Sequence, residues 1–301
     1  MPLFLLLLAL GLLAPAYPLG AADKGGRVER AGTPFGSMLK MKLSSAPFPH
    51  AARRNGYRRE DLYYPPEEHY SDSSVEVFVP EGYRPGNSVD LVFFFHGWYS
   101  SIDEAEKAFQ LSRQFAESGV NALLVLPETA RRAPDSFGGN LEEPGGFARL
   151  VAELLEELKA ARVIGRANPG RIVLAGHSGA YRLVGRVLER GGLEQNIREV
   201  YLFDALYDFE ELFADWIEAG GRRFVALNAA GSETSAVADR LIGLLRGAGV
   251  RVAVGSDEPF ADGPALASRV LFLRSRYDHY GVVSGADQFG RILRASSQLA
   301  R

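Results

Sequence analysis

Ser178 closes an apolar run, Ile172-Val173-Leu174-Ala175, and sits among small residues in Gly176-His177-Ser178-Gly179-Ala180. Helix-compatible sequence resumes at once with Tyr181-Arg182-Leu183-Val184. A chain that passes from strand to helix in so few residues must bend sharply. The serine at such a bend takes a strained backbone conformation, and only small neighbours let the flanking backbone come close enough. The strain lifts the hydroxyl clear of the sheet and aims the following N–H groups at the same spot. This nucleophile elbow dictates a buried strand on one side and a packed helix on the other, and its hydroxyl is inert without a base.

The rest of the chain supplies that setting. Apolar runs predict strands at 75–79, 91–95, 122–126, 172–175, 200–203, 224–227 and 270–273, with a short one at 252–254. Helical spacing predicts helices at 102–118, 147–163, 181–191, 210–219 and 236–247. Continuous apolar strands alternating with amphipathic helices call for an α/β fold, a mostly parallel central sheet covered by helices on both faces. A chain of 301 residues, nearly half of them apolar, suffices for one such core.

The N-terminal part reads differently. Residues 4–13 are almost continuously leucine, and Ala14-Pro15-Ala16 and Gly20-Ala21-Ala22 precede the first charge at Asp23. The block is short for a membrane span and ends in small residues, the pattern of a secretory signal (residues 1–22) cleaved near Ala21 or Ala22. Residues 23–72 show no sustained periodicity. They carry Lys24, Arg27, Arg30, Lys40, Lys42, Arg53, Arg54, Arg58 and Arg59, with Glu29 the only acid between the first and last of these. They predict a weakly structured basic extension, with peripheral contact to an anionic envelope as its sharper use. The folded domain is then 73–301. The absence of cysteine removes disulfide, thiolate and Cys-based zinc chemistry, and a formal charge of −3 gives no footing for nucleic acid.

From about residue 75 onward the order of parts resembles the α/β-hydrolase superfamily of esterases and lipases. Three features carry the resemblance: His96-Gly97 after a buried strand, the elbow at Ser178, and a histidine in a loop after the last strand. The usual G-x-S-x-G pattern ends here in Ala180, which is still small. Elimination gives the base. His50 and His69 lie in or beside the extension, His96 belongs to an early loop, and His177 is part of the elbow, which leaves His279. An imidazole titrates near neutrality, so it can take the serine proton and return it to the leaving group.

The acid that orients His279 belongs at the end of a strand beside the elbow. Asp204 fits, since it abruptly ends Tyr201-Leu202-Phe203; its alternative use is a helix N-cap. Asp257 is the second candidate, past the 252–254 run, while Asp278 adjoins His279 and projects elsewhere. The resemblance implies an oxyanion hole formed by the N–H groups of Gly179 and Trp98, with Gly97 giving its turn freedom. The long polar stretch 128–146 leaves the ligand-binding face of the sheet and is expected to shape access. Its Arg131, Arg132, Asp135, Glu142 and Glu143 give no clean acidic or basic preference.

Together these features imply an exported serine hydrolase acting on a small-molecule or peptide-like ester or amide through Ser178, His279 and Asp204, with no metal or organic cofactor. A carboxylesterase is expected before a peptidase, and an acyltransferase would use the same triad. A reading from a different class also stands: a non-catalytic protein of the same fold that binds at the cell envelope.

Overall fold

A computed structural model describes residues 28–257 and 266–301; the signal sequence expected at 1–22 lies outside them. Twelve strands occur among the described residues. They are β1 (Val28–Thr33), β2 (Gly36–Lys42), β3 (Tyr57–Arg59), β4 (Leu62–Tyr64), β5 (Ser74–Pro80), β6 (Val89–Phe95), β7 (Leu123–Pro127), β8 (Pro169–His177), β9 (Ile197–Phe203), β10 (Arg223–Asn228), β11 (Ala253–Ser256) and β12 (Val270–Arg274). The helices are α1 (Pro66–His69), α2 (Ile102–Phe109), α3 (Leu111–Ser118), α4 (Gly146–Ala160), α5 (Tyr181–Arg190), α6 (Glu210–Glu218), α7 (Thr234–Gly247), α8 (Gly281–Ser284) and α9 (Gln288–Arg294).

Ten strands form one sheet in the order β1-β2-β5-β7-β6-β8-β9-β10-β12-β11. From β7 through β11 every neighbouring pair is parallel, whereas β1, β2 and β5 make an antiparallel flank. Alternate residues of each central strand serve opposite faces, as the period of two requires. Leu91, Phe93 and Phe95 of β6 join one core with α4, α5, α6 and α7, while Val92 and Phe94 join a second with α2, α3 and α9. A sheet buried on both faces needs unbroken apolar strands, and this is why the sequence between 89 and 274 reads as it does.

The helix expected over 102–118 divides at Gln110, which takes a left-handed conformation (φ 50°). Ser101 caps α2 by accepting the Glu104 N–H at 3.3 Å, and the Glu106 carboxylate takes the Ser112 N–H, so the second segment has a cap of its own. The terminal helices α8 and α9 went unanticipated.

The larger correction concerns residues 28–72, which are not a loose extension. β2 pairs along its whole length with β5 and from Gly36 to Met41 with β1, and Leu39 and Met41 are buried in the main core. Many of its basic residues are spoken for: Lys40 pairs with Glu76 at 2.9 Å, Lys42 with Asp72, and Arg53 with Asp135 at 2.6 Å. Glu153 of α4 clasps the following turn, accepting the N–H groups of Ser44 (2.9 Å) and Ser45 (2.8 Å) and both of their hydroxyls. Beyond it, Phe48, Tyr64 and Tyr70 form a third apolar cluster with Ala130 and Ala133, so this segment packs on the 128–146 loop. The domain therefore begins no later than Val28.

Leu39→Ala tests the point, since a fully buried leucine cut to alanine costs about 2–5 kcal/mol. Urea unfolding should show a loss of that size, and a loss near zero would return β2 to the status of a draped arm.

Candidate active site

Ser178, Asp204, His279 and the loop that begins at His96 all leave the carboxyl ends of β8, β9, β12 and β6, strands that lie close together in the parallel part of the sheet. That end of an open parallel sheet is where ligands bind. Register brings the parts level, with Phe95 opposite Gly176 and His177 opposite Phe203.

Ser178 has φ 55°, in the left-handed region, as the elbow requires. Such a residue costs about 1–3 kcal/mol, which the surrounding packing must supply. Gly97 lies directly on it: a Cβ there would stand 2.6 Å from Ser178 Cβ and 3.2 Å from its Oγ. Close approach, not turn freedom, is therefore what demands glycine at 97, and the positive φ of this loop falls on Tyr99 (57°). Gly179 is constrained in the same way, because a Cβ there would meet Trp98 Cδ1 and Nε1 at 2.4 Å. Ala180 fills the last elbow position without distortion, its methyl resting against Gly176.

Trp98 and Gly179, the two expected oxyanion donors, lie against each other. Among the described residues nothing accepts the Trp98 N–H, and Gly179 lies in the opening turn of a 3₁₀ segment, where amides lack intrahelical acceptors. The Trp98 indole is fixed by donating from Nε1 to Ser136 Oγ at 2.8 Å. His96 holds the same loop from below. Its Nδ1 donates to the Gly97 carbonyl at 2.9 Å and its Nε2 to Glu128 Oε1 at 2.7 Å. Burial opposes a charge on this ring, but the Glu128 hydrogen bond and charge outweigh it and raise the pKa. His96, hydrogen-bonded at both ring nitrogens, secures the loop that carries Trp98, a role its sequence position did not disclose.

Asp204 and His279 meet as expected, with Asp204 Oδ2 accepting from His279 Nδ1 at 2.6 Å. The carboxylate is buried (1% exposed) and has φ 45°. Burial would raise its pKa, yet hydrogen bonds from His279, Thr234 Oγ1 (2.5 Å) and the Ala229 N–H (3.1 Å) bring it below the usual value. Ionised and acceptor-only, Asp204 fixes the proton on Nδ1 and leaves Nε2 as the basic nitrogen. Asp257 does something else. It accepts from the Ser275 hydroxyl, the Arg276 N–H (3.0 Å) and Gln288 Nε2 (3.2 Å), bracing the start of the loop that carries His279. Asp278 caps the next turn through the Gly281 N–H at 2.7 Å.

Ser178 Oγ is not hydrogen-bonded to His279 in this structure. The Tyr207 phenol lies beside the hydroxyls of Ser178 and Ser232, and Ser232 in turn donates to Thr234 Oγ1 (3.0 Å), whose own proton goes to Asp204. Tyr207 is the second neighbour of the elbow that the sequence concealed, since nothing in its pattern separates it from core tyrosines. The third is His177. Its Nε2–H donates to the His279 carbonyl at 2.7 Å, and the two rings stand 4.6 Å apart. The residue before Ser178 thus holds the backbone of His279.

No group of three or more metal-ligating side chains occurs among the described residues. No family model and no curated protein matches the chain. Among solved structures it is similar to a mutant of the feruloyl esterase module from Clostridium thermocellum complexed with sinapinate. The identity is 11% and the TM-score 0.55, over 96% of this chain and 98% of that one. It is similar also to FphF, a fluorophosphonate-binding serine hydrolase from Staphylococcus aureus, at 10% identity and a TM-score of 0.49 over 76% and 95% of the two chains. A third likeness is to MPT51 (FbpC1) of Mycobacterium tuberculosis, at 14% and 0.47 over 79% and 97%.

His177 gives this site an acid-sensitive member. Burial first, and then the adjacent His279, push its pKa down to about 4 from 6.5. The folded state then binds fewer protons than the unfolded one between these values. The contribution is fully present above about pH 6.5 and is lost as pH falls to about 4, roughly 3 kcal/mol in all. His177→Gln keeps an N–H donor without the titration. Its unfolding free energy should fall less steeply than that of wild type across the window, and identical slopes would show that His177 titrates normally.

Proposed function

We propose that this chain, which has the α/β-hydrolase fold, is a serine hydrolase that cleaves a carboxylic ester through an acyl-enzyme intermediate. The observation that carries the reading is the 2.6 Å hydrogen bond from His279 Nδ1 to buried Asp204, on a loop tied through His177 to a serine at φ 55°. A binding module gains nothing from holding two polar residues on strained backbone beside unpartnered amides.

In this mechanism His279 Nε2 removes the Ser178 proton as Oγ attacks the substrate carbonyl. The Asp204 carboxylate stabilises the imidazolium without taking the proton. The N–H groups of Gly179 and Trp98 receive the developing oxyanion, where preorganised donors are worth most. His279 then protonates the leaving alkoxide, and water admitted to the acyl-enzyme repeats the steps in reverse roles. The Ser178–His279 contact closes on substrate entry, since catalytic hydrogen bonds are commonly long in unliganded sites. An amide substrate or transfer to an acceptor other than water would use the same groups. Export belongs to the proposal as well and rests on the leucine-rich block at residues 4–13.

A fluorophosphonate probe followed by intact-mass spectrometry should label the wild type once and fail on Ser178→Ala and His279→Ala. Asp204→Asn should lower kcat on the order of 10³–10⁴-fold, and Asp257→Asn should chiefly lower stability with a much smaller loss of rate. A folded wild type that takes no label would favour the binding reading, and the reverse ranking of the two aspartates would overturn the acid assignment.

A further inference from the structure

The balance of charge around the cleft changes once its pairs are counted. Asp135 is bound by Arg53 through two hydrogen bonds (2.6 and 3.2 Å), and Glu142 by Arg182 through two more (both 2.9 Å). Glu128 is engaged by His96 and Asp204 by His279. Each of these carboxylates already has a hydrogen-bonding partner.

Arg59 is left over. The β3–β4 hairpin sits on the oxyanion loop, with Tyr64 beside Tyr99 and the Arg59 guanidinium 4.2 Å from the centre of the Trp98 ring. Alternation along β3 sends Arg58 the other way, onto Tyr63. The Arg59 side chain makes no hydrogen bond among the described residues, and its one ionic neighbour is Glu60, 4.0 Å away and 83% exposed. Trp98 touches Arg59 with its ring and Gly179 with its Cδ1–Nε1 edge, so a single indole links the guanidinium to the elbow. The cation–π contact holds the guanidinium over the indole, and with no hydrogen bond among the described residues its N–H groups remain available to an oxyanion.

We propose that Arg59 is a specificity residue that receives an anionic group of the substrate, a carboxylate or an oxyanion of like acceptor chemistry, within a small ester's length of the scissile bond. This rests on the serine-hydrolase reading above and names the substrate class for it: an ester that also carries an acid group. Charge at the cleft mouth selects it, because a neutral ester gains nothing from the free fork and an anionic one gains a charge-assisted pair.

Two matched pairs of esters test the assignment. Mono-4-nitrophenyl adipate against 4-nitrophenyl hexanoate places the acid on the acyl side; 4-carboxyphenyl butyrate against its methyl ester places it on the alcohol side. Wild type should favour the anionic member of one pair by about tenfold or more in kcat/KM, chiefly through KM, and added salt should erode the preference. Arg59→Gln should abolish that ratio and Arg59→Lys retain part of it, an outcome that a merely structural role for Arg59 would not produce. Equal use of both members of both pairs, or a preference that survives Arg59→Gln, would sink the proposal. The uncharged fluorophosphonate keeps the two levels separate. Labelling of Ser178 with no anionic preference overturns only the role of Arg59, whereas failure to label and to turn over any ester overturns both.

Discussion

The contact on which the site depends is the approach of Gly97 to Ser178. Two adjacent parallel strands, β6 and β8, end level with each other, and the loop from the first lies directly on Ser178 at the end of the second. Any side chain at 97 would lever the loop away and carry Trp98 N–H with it. The positive φ of Ser178 is sustained by the same packing, because a strained residue persists only where its surroundings over-determine it. Glycine at 97 and at 179, the indole of Trp98 and the His96 ring are parts of one device that presses the 96–99 loop onto the elbow.

Much of this was legible in the sequence, and the reasons are specific. The central strands are buried on both faces, so their apolar runs are unbroken and easily read. The elbow announces itself because small residues are forced on it, and Asp204 because a carboxylate ending a strand as apolar as Tyr201-Leu202-Phe203 has few structural uses. Residues 28–72 were misread for an equally physical reason. β2 alternates Leu39 and Met41 with Lys40 and Lys42, the half-buried pattern of an antiparallel flank, and the lysines hid it. The roles of His177 and Tyr207 were illegible because they arise only where distant loops meet.

Charge offers a parallel case. The 128–146 loop sets Arg131 and Arg132 against Glu128, Asp135, Glu142 and Glu143, and summation alone would make it acidic. Pairing is decided by geometry instead. Asp135 and Glu142 are consumed by Arg53 and Arg182, two residues remote in sequence, and what the cleft presents is the remainder after those pairs form. A formal count over a loop cannot anticipate which charges will face a ligand, since a neutralised pair has little field beyond its own contact.

The Arg53–Asp135 pair sits in an aromatic box, its guanidinium within 5.9 Å of the ring centres of Tyr57, Tyr70 and Phe137. Asp135 belongs to the loop on one side of the cleft and Arg53 to the N-terminal crossing that covers it. Exchange of either segment alone between related chains would strand a desolvated charge in that box, at a cost far above that of a surface substitution. The two segments, some eighty residues apart in the gene's reading order, therefore have to travel as one cassette. Diversification of the cleft by recombination is confined to crossovers that carry both.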